Sequence, residues 1–218
     1  LQAAPYRDAF SPEPRDLPHD LRMPRSLPVL SGIFVVMALS NAVVPVLPDF
    51  AEGTAFQGAV YSAYFLGAFV SVLPAGYASD RIGSVPLIRA GLLLTLLSGT
   101  LILVFPSGLP LILSRVIEGI GGGIFLSATL AWTNSQPSAA RESGYVMAAL
   151  NLGLFVGLIA AGWLDSVFES HLAGIAVFTA LAVPAAAMSA AVSQWMAIAT
   201  EPYRVGALLA GDTESPDG

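Results

Sequence analysis

Arg115 and Glu118 stand three residues apart in the stretch "LILSRVIEGIGGGIF", so on a helix they share one face. Each such charge costs about 2.5–3.5 kcal/mol at the centre of a membrane helix, and intramembrane charges face a cavity or one another. Two chemistries follow. The residues can be a self-neutralising structural pair, or Arg115 can line a polar pathway while Glu118 carries a proton. A second group sits in "GYASDRIGSVPLIRAG", where Gly76, Asp80, Arg81 and Gly83 spell G-x-x-x-D-R-x-G ahead of Pro86. Its glycines permit a tight reversal and close backbone approach. Asp80 can pair with a neighbouring arginine or with the positive N-terminus of another helix. Arg81 and Arg89 would suffice simply to anchor a loop. Asn41 in "SNAVVPVLPDF" is the strongly polar side chain of its apolar stretch, and an amide there can bond to a neighbouring helix. His171, beside Glu169, reads as a solvated residue at the end of a helix rather than a proton relay.

The elements that must position these groups are apolar throughout. Of 218 residues, 55% are hydrophobic and 11% charged, against about 25% charged in a soluble domain. Six runs are long enough for the roughly 20 residues a membrane-crossing helix needs. They are Val29–Val46, Ala59–Ala78, Pro86–Phe105, Pro110–Trp132, Gly144–Leu164 and Gly174–Met196. They lack the alternation of barrel strands. The expected fold is therefore an all-α polytopic membrane protein with six transmembrane helices. Residues 1–27, with five prolines among mixed charges, read as a disordered tail without the features of a secretory signal. Residues 28–198 form the bundle, and 199–218 form an acidic tail or the start of a linker.

Composition excludes several functions. The chain has no cysteine, so disulfides and thiolate metal sites are absent. Two histidines far apart in sequence do not make a metal site alone, and no metal or cofactor is expected. "GIGGG" at 119–123 would need a preceding strand to serve as a phosphate loop, and none is available. With a net charge of −6 and all nine basic residues arginine, no nucleic-acid surface is expected. No paired-carboxylate, Ser-His or His-rich constellation lies in the runs, so the chain does not read as an enzyme. Arginine placement sets orientation. Counting from a cytoplasmic N-terminus, the inside segments hold Arg22, Arg25, Arg81, Arg89, Arg141 and Arg204, while the outside connections hold Asp49, Glu52, Asp165 and Glu169 and no arginine or lysine. Both termini are expected in the cytoplasm, with the bundle in the cell (inner) membrane.

The Gly76–Gly83 motif resembles the loop 2–3 signature of the major facilitator superfamily, with Ser84 and Val85 where that family usually has two basic residues. Arg115, Gly119 and Gly121 resemble its R-x-x-x-G-x-G motif in helix 4, found in proton-coupled members, with Glu118 where glutamine is common. "NLGLFVGLIAAGW" resembles the antiporter motif of helix 5, with Leu154 in place of its proline. There Gly153, Gly157 and Ala161 form a small-residue stripe that suits close helix packing. "PVLP" resembles the end of helix 1 in drug-efflux members.

The resemblance runs from about residue 27 to about 198. It implies one half of a twelve-helix transporter, built as two inverted three-helix repeats. It makes Asn41 a candidate substrate contact and Asp80 and Arg81 part of a cytoplasmic latch. The expected function is secondary active transport, as proton-coupled efflux of a small organic molecule. Its partners would be that substrate, protons, the lipid bilayer and a second six-helix half. The alternative is a non-transporting membrane scaffold on the same half-fold, indifferent to Arg115. The missing half implies either a piece of a longer protein, with which an opening Leu1 agrees, or a half-transporter that pairs with a copy of itself or another chain.

Overall fold

In the computed structural model residues 26–196 are described, and every regular element among them is helical. Helix α1 (Leu27–Ala42) leads into a single turn, α2 (Leu47–Phe50). Five long helices follow: α3 (Thr54–Ile82), α4 (Ser84–Val104), α5 (Gly108–Asn134), α6 (Ala139–Phe168) and α7 (Ala173–Met196). The all-α class agrees with the unbroken apolar runs. The tails expected over 1–27 and 199–218 lie outside the described residues, apart from Ser26 and Leu27.

Among the described residues four helices, α3 to α6, are long and apolar enough to cross a membrane, whereas the sequence led to an expectation of six. Leu27–Ala42 and the Ala173–Ser189 part of α7 are apolar but shorter. The first run falls short for a local reason. Pro45 lacks an amide hydrogen and disfavours helical backbone at the residue before it. The helix accordingly ends at Ala42, and Val44 N–H turns to Asn41 O at 3.1 Å.

Helices α3 and α4 are joined by one residue. Gly83 caps the end of one and the start of the other at φ 86° and ψ 162°, a conformation essentially restricted to glycine. The Ser79 and Ser84 hydroxyls bond across it at 2.9 Å. That geometry accounts for the last glycine of the G-x-x-x-D-R-x-G motif.

Packing centres on two sets of contacts. Helix α5 lies against both α3 and α4, while α1 lies against both α6 and α7, and α4 also meets α7. Small residues make these approaches possible. A methyl group at Gly67 or Gly119 would collide with a backbone carbonyl across the α3–α5 contact, at Val116 and Tyr64 respectively. Gly121 faces the other way, where a methyl would lie 2.9 Å from Gly91 O of α4. On α6, Gly153 and Gly157 rest against the α1 backbone at Phe34 and Ala38, and Ala161 rests against Gly174.

The apolar core falls into two clusters. One joins Val29, Ile33, Ile88, Leu92, Phe125 and Trp132; the other joins Val43, Val60, Ile102, Leu111, Ile175 and Phe178. On α4, α5 and α7 buried polar residues lie between the two clusters in sequence, among them Thr95, Ser98, Arg115, Glu118 and Thr179. A polar layer thus separates two greasy ones.

Candidate functional site

The polar layer is organised by α5. Arg115 Nη1 donates to Glu118 Oε2 at 2.6 Å, with the side chains 2% and 0% exposed. The i,i+3 spacing foreseen on one face is what brings them together. From α4, Ser98 Oγ donates to the same Oε2 at 3.3 Å. From α3, the Tyr64 ring lies under the Arg115 guanidinium, 5.0 Å from its carbon to the ring centroid. The Tyr64 hydroxyl lies near the Ser40 side chain of α1. Three helices therefore contribute to one buried charge site.

The site keeps chemical capacity in reserve. Glu118 Oε1 and Arg115 Nε are buried and make no hydrogen bond among the described residues. A buried polar group without a partner is costly. An oxygen of this kind can take a proton, and a guanidinium edge of this kind can hold an acceptor.

The other sequence candidates lie elsewhere. Asn41 is half-buried and donates to Met37 O of its own helix at 3.3 Å, so its described bond does not join the charge pair. Asp80 and Arg81 are exposed at the end of α3, with the Arg81 guanidinium 4.5 Å over the Tyr77 ring. Gly76 lies where a methyl would come 3.3 Å from Ser127 Oγ of α5. His171, read as a solvated end residue, is half-exposed but bridges two elements: its Nδ1 is 3.2 Å from Asp49 Oδ2 and 2.9 Å from Asp165 Oδ1. Its ring also meets Phe50 edge-on. Among the described residues these three could present ligand atoms to a cation, all within 4.8 Å of one another. A shallow apolar groove of about 280 Å³ runs along α6, lined by Phe155, Val156, Ile159, Ala160 and Trp163, away from the charges.

Sequence reasoning missed Ser40, Tyr64 and Ser98. Serine and tyrosine sit comfortably in membrane helices, and nothing in their spacing announces that they converge on α5. The one available signal was the charge pair itself, since a buried pair must find further partners on neighbouring helices.

Comparison with known proteins adds a consistent picture. The family model described as Major Facilitator Superfamily matches residues 29–213. "Probable anion transporter 6, chloroplastic" of Arabidopsis thaliana is 32% identical over 127 residues, 56% of this chain and 25% of that protein. "Multidrug resistance protein B homolog" of Mycobacterium tuberculosis is 31% identical over 134 residues, 59% of this chain and 24% of that protein. "Quinolone resistance protein NorA" of Staphylococcus aureus is 26% identical over 143 residues, 62% of this chain and 37% of that protein. The matched part of the chain thus spans about a quarter of the length of the first two relatives.

Proposed function

The chain belongs to the Major Facilitator Superfamily, and we propose that it forms one six-helix half of a secondary transporter that exports a small organic molecule in exchange for protons. The single observation behind this reading is the Arg115–Glu118 pair, buried in α5 with one carboxylate oxygen and one guanidinium nitrogen unbonded. One relative is named as an anion transporter, and the efflux reading draws on the two that are named for drug resistance.

The helix contacts support an inverted-repeat arrangement. Take α1, α3 and α4 as one repeat and α5, α6 and α7 as the other. The α3–α5 contact then corresponds to α6–α1, and α4–α5 corresponds to α7–α1; all four are extensive. Inverted repeats of this kind place substrate and coupling sites near the midplane. In this reading the half bundle sits in the cell membrane with both ends cytoplasmic. Asp80 and Arg81 latch the cytoplasmic side, and Asn41 contacts substrate.

The proton step uses the pair alone. Glu118 Oε1 accepts a proton, the charge attraction to Arg115 weakens, and Arg115 gains freedom to bond elsewhere in the layer. A second six-helix half supplies the opposing wall of the cavity, because alternating access needs two bodies that rock against each other.

The test is gradient-driven flux. The protein carrying this chain is reconstituted in vesicles with an acid lumen, and ethidium uptake is followed together with proton loss from the lumen. Arg115→Ala is expected to abolish both while the helical content is retained. Unchanged flux in that variant sinks the proposed role of the pair, whereas a parent protein that moves neither ethidium nor protons sinks transport and favours a scaffold role.

A further inference from the structure

The glycine run at 119–123 is longer than the R-x-x-x-G-x-G resemblance requires, and Gly122 in particular lies outside it. Its surroundings give it a purpose. Gly119 accepts the Tyr64 backbone, whose carbonyl a methyl group there would strike. One turn on, a methyl at Gly122 would lie 2.9 Å from the Tyr64 hydroxyl oxygen. Gly123 continues the seat, where a methyl would strike Ser71 Oγ and come within 2.8 Å of Ala68 O. Gly121 is turned away toward α4 and takes no part. Three glycines thus form a slot on α5 that receives α3 and holds one tyrosine from its backbone to its hydroxyl.

What the slot achieves is visible at the charge pair. Arginine has a long side chain, and in a dry interior a guanidinium tied by a single described bond can swing toward any acceptor. The Tyr64 ring limits that freedom by lying beneath the guanidinium carbon, an arrangement that is strongest when water is excluded. The ring is itself flanked along its side by Phe65, whose ring meets it at 90° and 5.3 Å.

We propose that Tyr64, seated in the Gly119–Gly122–Gly123 slot, is the positioning residue that holds the Arg115 guanidinium over Glu118. The inference rests on the proposed transport role for its meaning in the cycle, though the positioning itself is separately measurable. A tyrosine that merely fills space would be replaced by leucine without consequence for Arg115. A platform would not.

The experiment labels the arginine side chains of the full protein with nitrogen-15 in detergent micelles and identifies the Arg115 Nε–H signal by its loss in Arg115→Lys. In Tyr64→Leu that signal is expected to move downfield as ring shielding is lost, while the remaining arginine signals stay in place and report an intact fold. Tyr64→Phe keeps the ring face and is expected to leave the signal where it was. Ethidium exchange should fall about tenfold in Tyr64→Leu, with its pH profile displaced, and should be largely rescued in Tyr64→Phe. An unmoved Arg115 signal in a folded Tyr64→Leu overturns the inference, as does a Tyr64→Phe signal displaced as far as the leucine variant's. If the leucine variant does not fold, Gly122→Ala crowds the hydroxyl from the other side; its Arg115 signal must move, and an unmoved one is equally decisive. A displaced signal in a protein that moves no ethidium would refute the transport role and leave the positioning intact, whereas Arg115-dependent flux with an undisplaced signal would do the reverse.

Discussion

Removing the two charges of α5 one at a time and then together separates what the pair does for the fold from what it does for transport. At 2.6 Å the attraction is about 6 kcal/mol at an effective dielectric constant of about 20. Taking each ion out of water costs several kcal/mol, so the intact pair contributes little net stability. A lone survivor is another matter, because a single buried charge keeps its desolvation penalty and loses its partner. Arg115→Met or Glu118→Leu alone should therefore destabilise the bundle by about 3–5 kcal/mol. The double variant should return to within about 2 kcal/mol of the parent or exceed it, since apolar pairs of similar volume often replace buried ion pairs without loss. Thermal unfolding in detergent, followed by helical circular dichroism, reads these differences. Flux is expected to be absent in all three. The decisive outcome is the double variant: ethidium exchange restored along with stability would make the charges a self-neutralising structural pair and refute the reasoning above. Single variants as stable as the parent would show instead that neither charge is desolvated.

Gly83→Ala should destabilise by about 1–3 kcal/mol, because φ 86° and ψ 162° strain any side chain there although no neighbour lies within 4 Å; chemical unfolding compares it with an alanine change at a nearby helical site. Gly157→Leu should be worse by several-fold in unfolding yield, since even a methyl at that position strikes the α1 backbone at Ala38; a correctly folded, equally stable variant would mean the α1–α6 contact is looser than described. Asp165→Asn should change stability by no more than about 1 kcal/mol, because its partner His171 is half-exposed and such surface pairs contribute little, and the residual effect should fade in high salt.

Much of this architecture was legible in the residues, and the parts that were not share a physical cause. Apolar runs mark helices because hydrocarbon tolerates no unbonded backbone, so α3 to α6 stood out from composition alone. The first run misled because its hydrophobicity continues through Val43–Val46 after Pro45 has ended the helix: hydropathy registers the side chains and overlooks the missing amide. Arg115 and Glu118 were legible because the i,i+3 rule is local. Tyr64, Ser40 and Ser98 were not, since their meeting depends on which helix neighbours which. The carboxylates that flank His171 were hidden for the same reason, as Asp49 and Asp165 reach it only after the bundle has assembled. Asn41 shows the converse, a polar residue conspicuous in sequence whose described bond stays within its own helix.

The one-residue join at Gly83 also acts as a common origin of length. At a rise of about 1.5 Å per residue, Tyr64 stands about 28 Å from Gly83 along α3, and Arg115 stands about 28 Å from Asn134, the end of α5 on the same side. Along α4, Ser98 lies about 22 Å from Gly83, matching Glu118 at about 24 Å from Asn134. Depth in the bundle is thus measured off from one end by three helices of matched register. Deleting a single residue between Tyr64 and Gly83 would carry the ring about 1.5 Å along the axis and turn it about 100° away from Arg115, and no lengthening of the turn could undo the rotation. Between residues 64 and 98 the spacing of the chain is therefore as much a determinant of the charge site as the side chains it delivers.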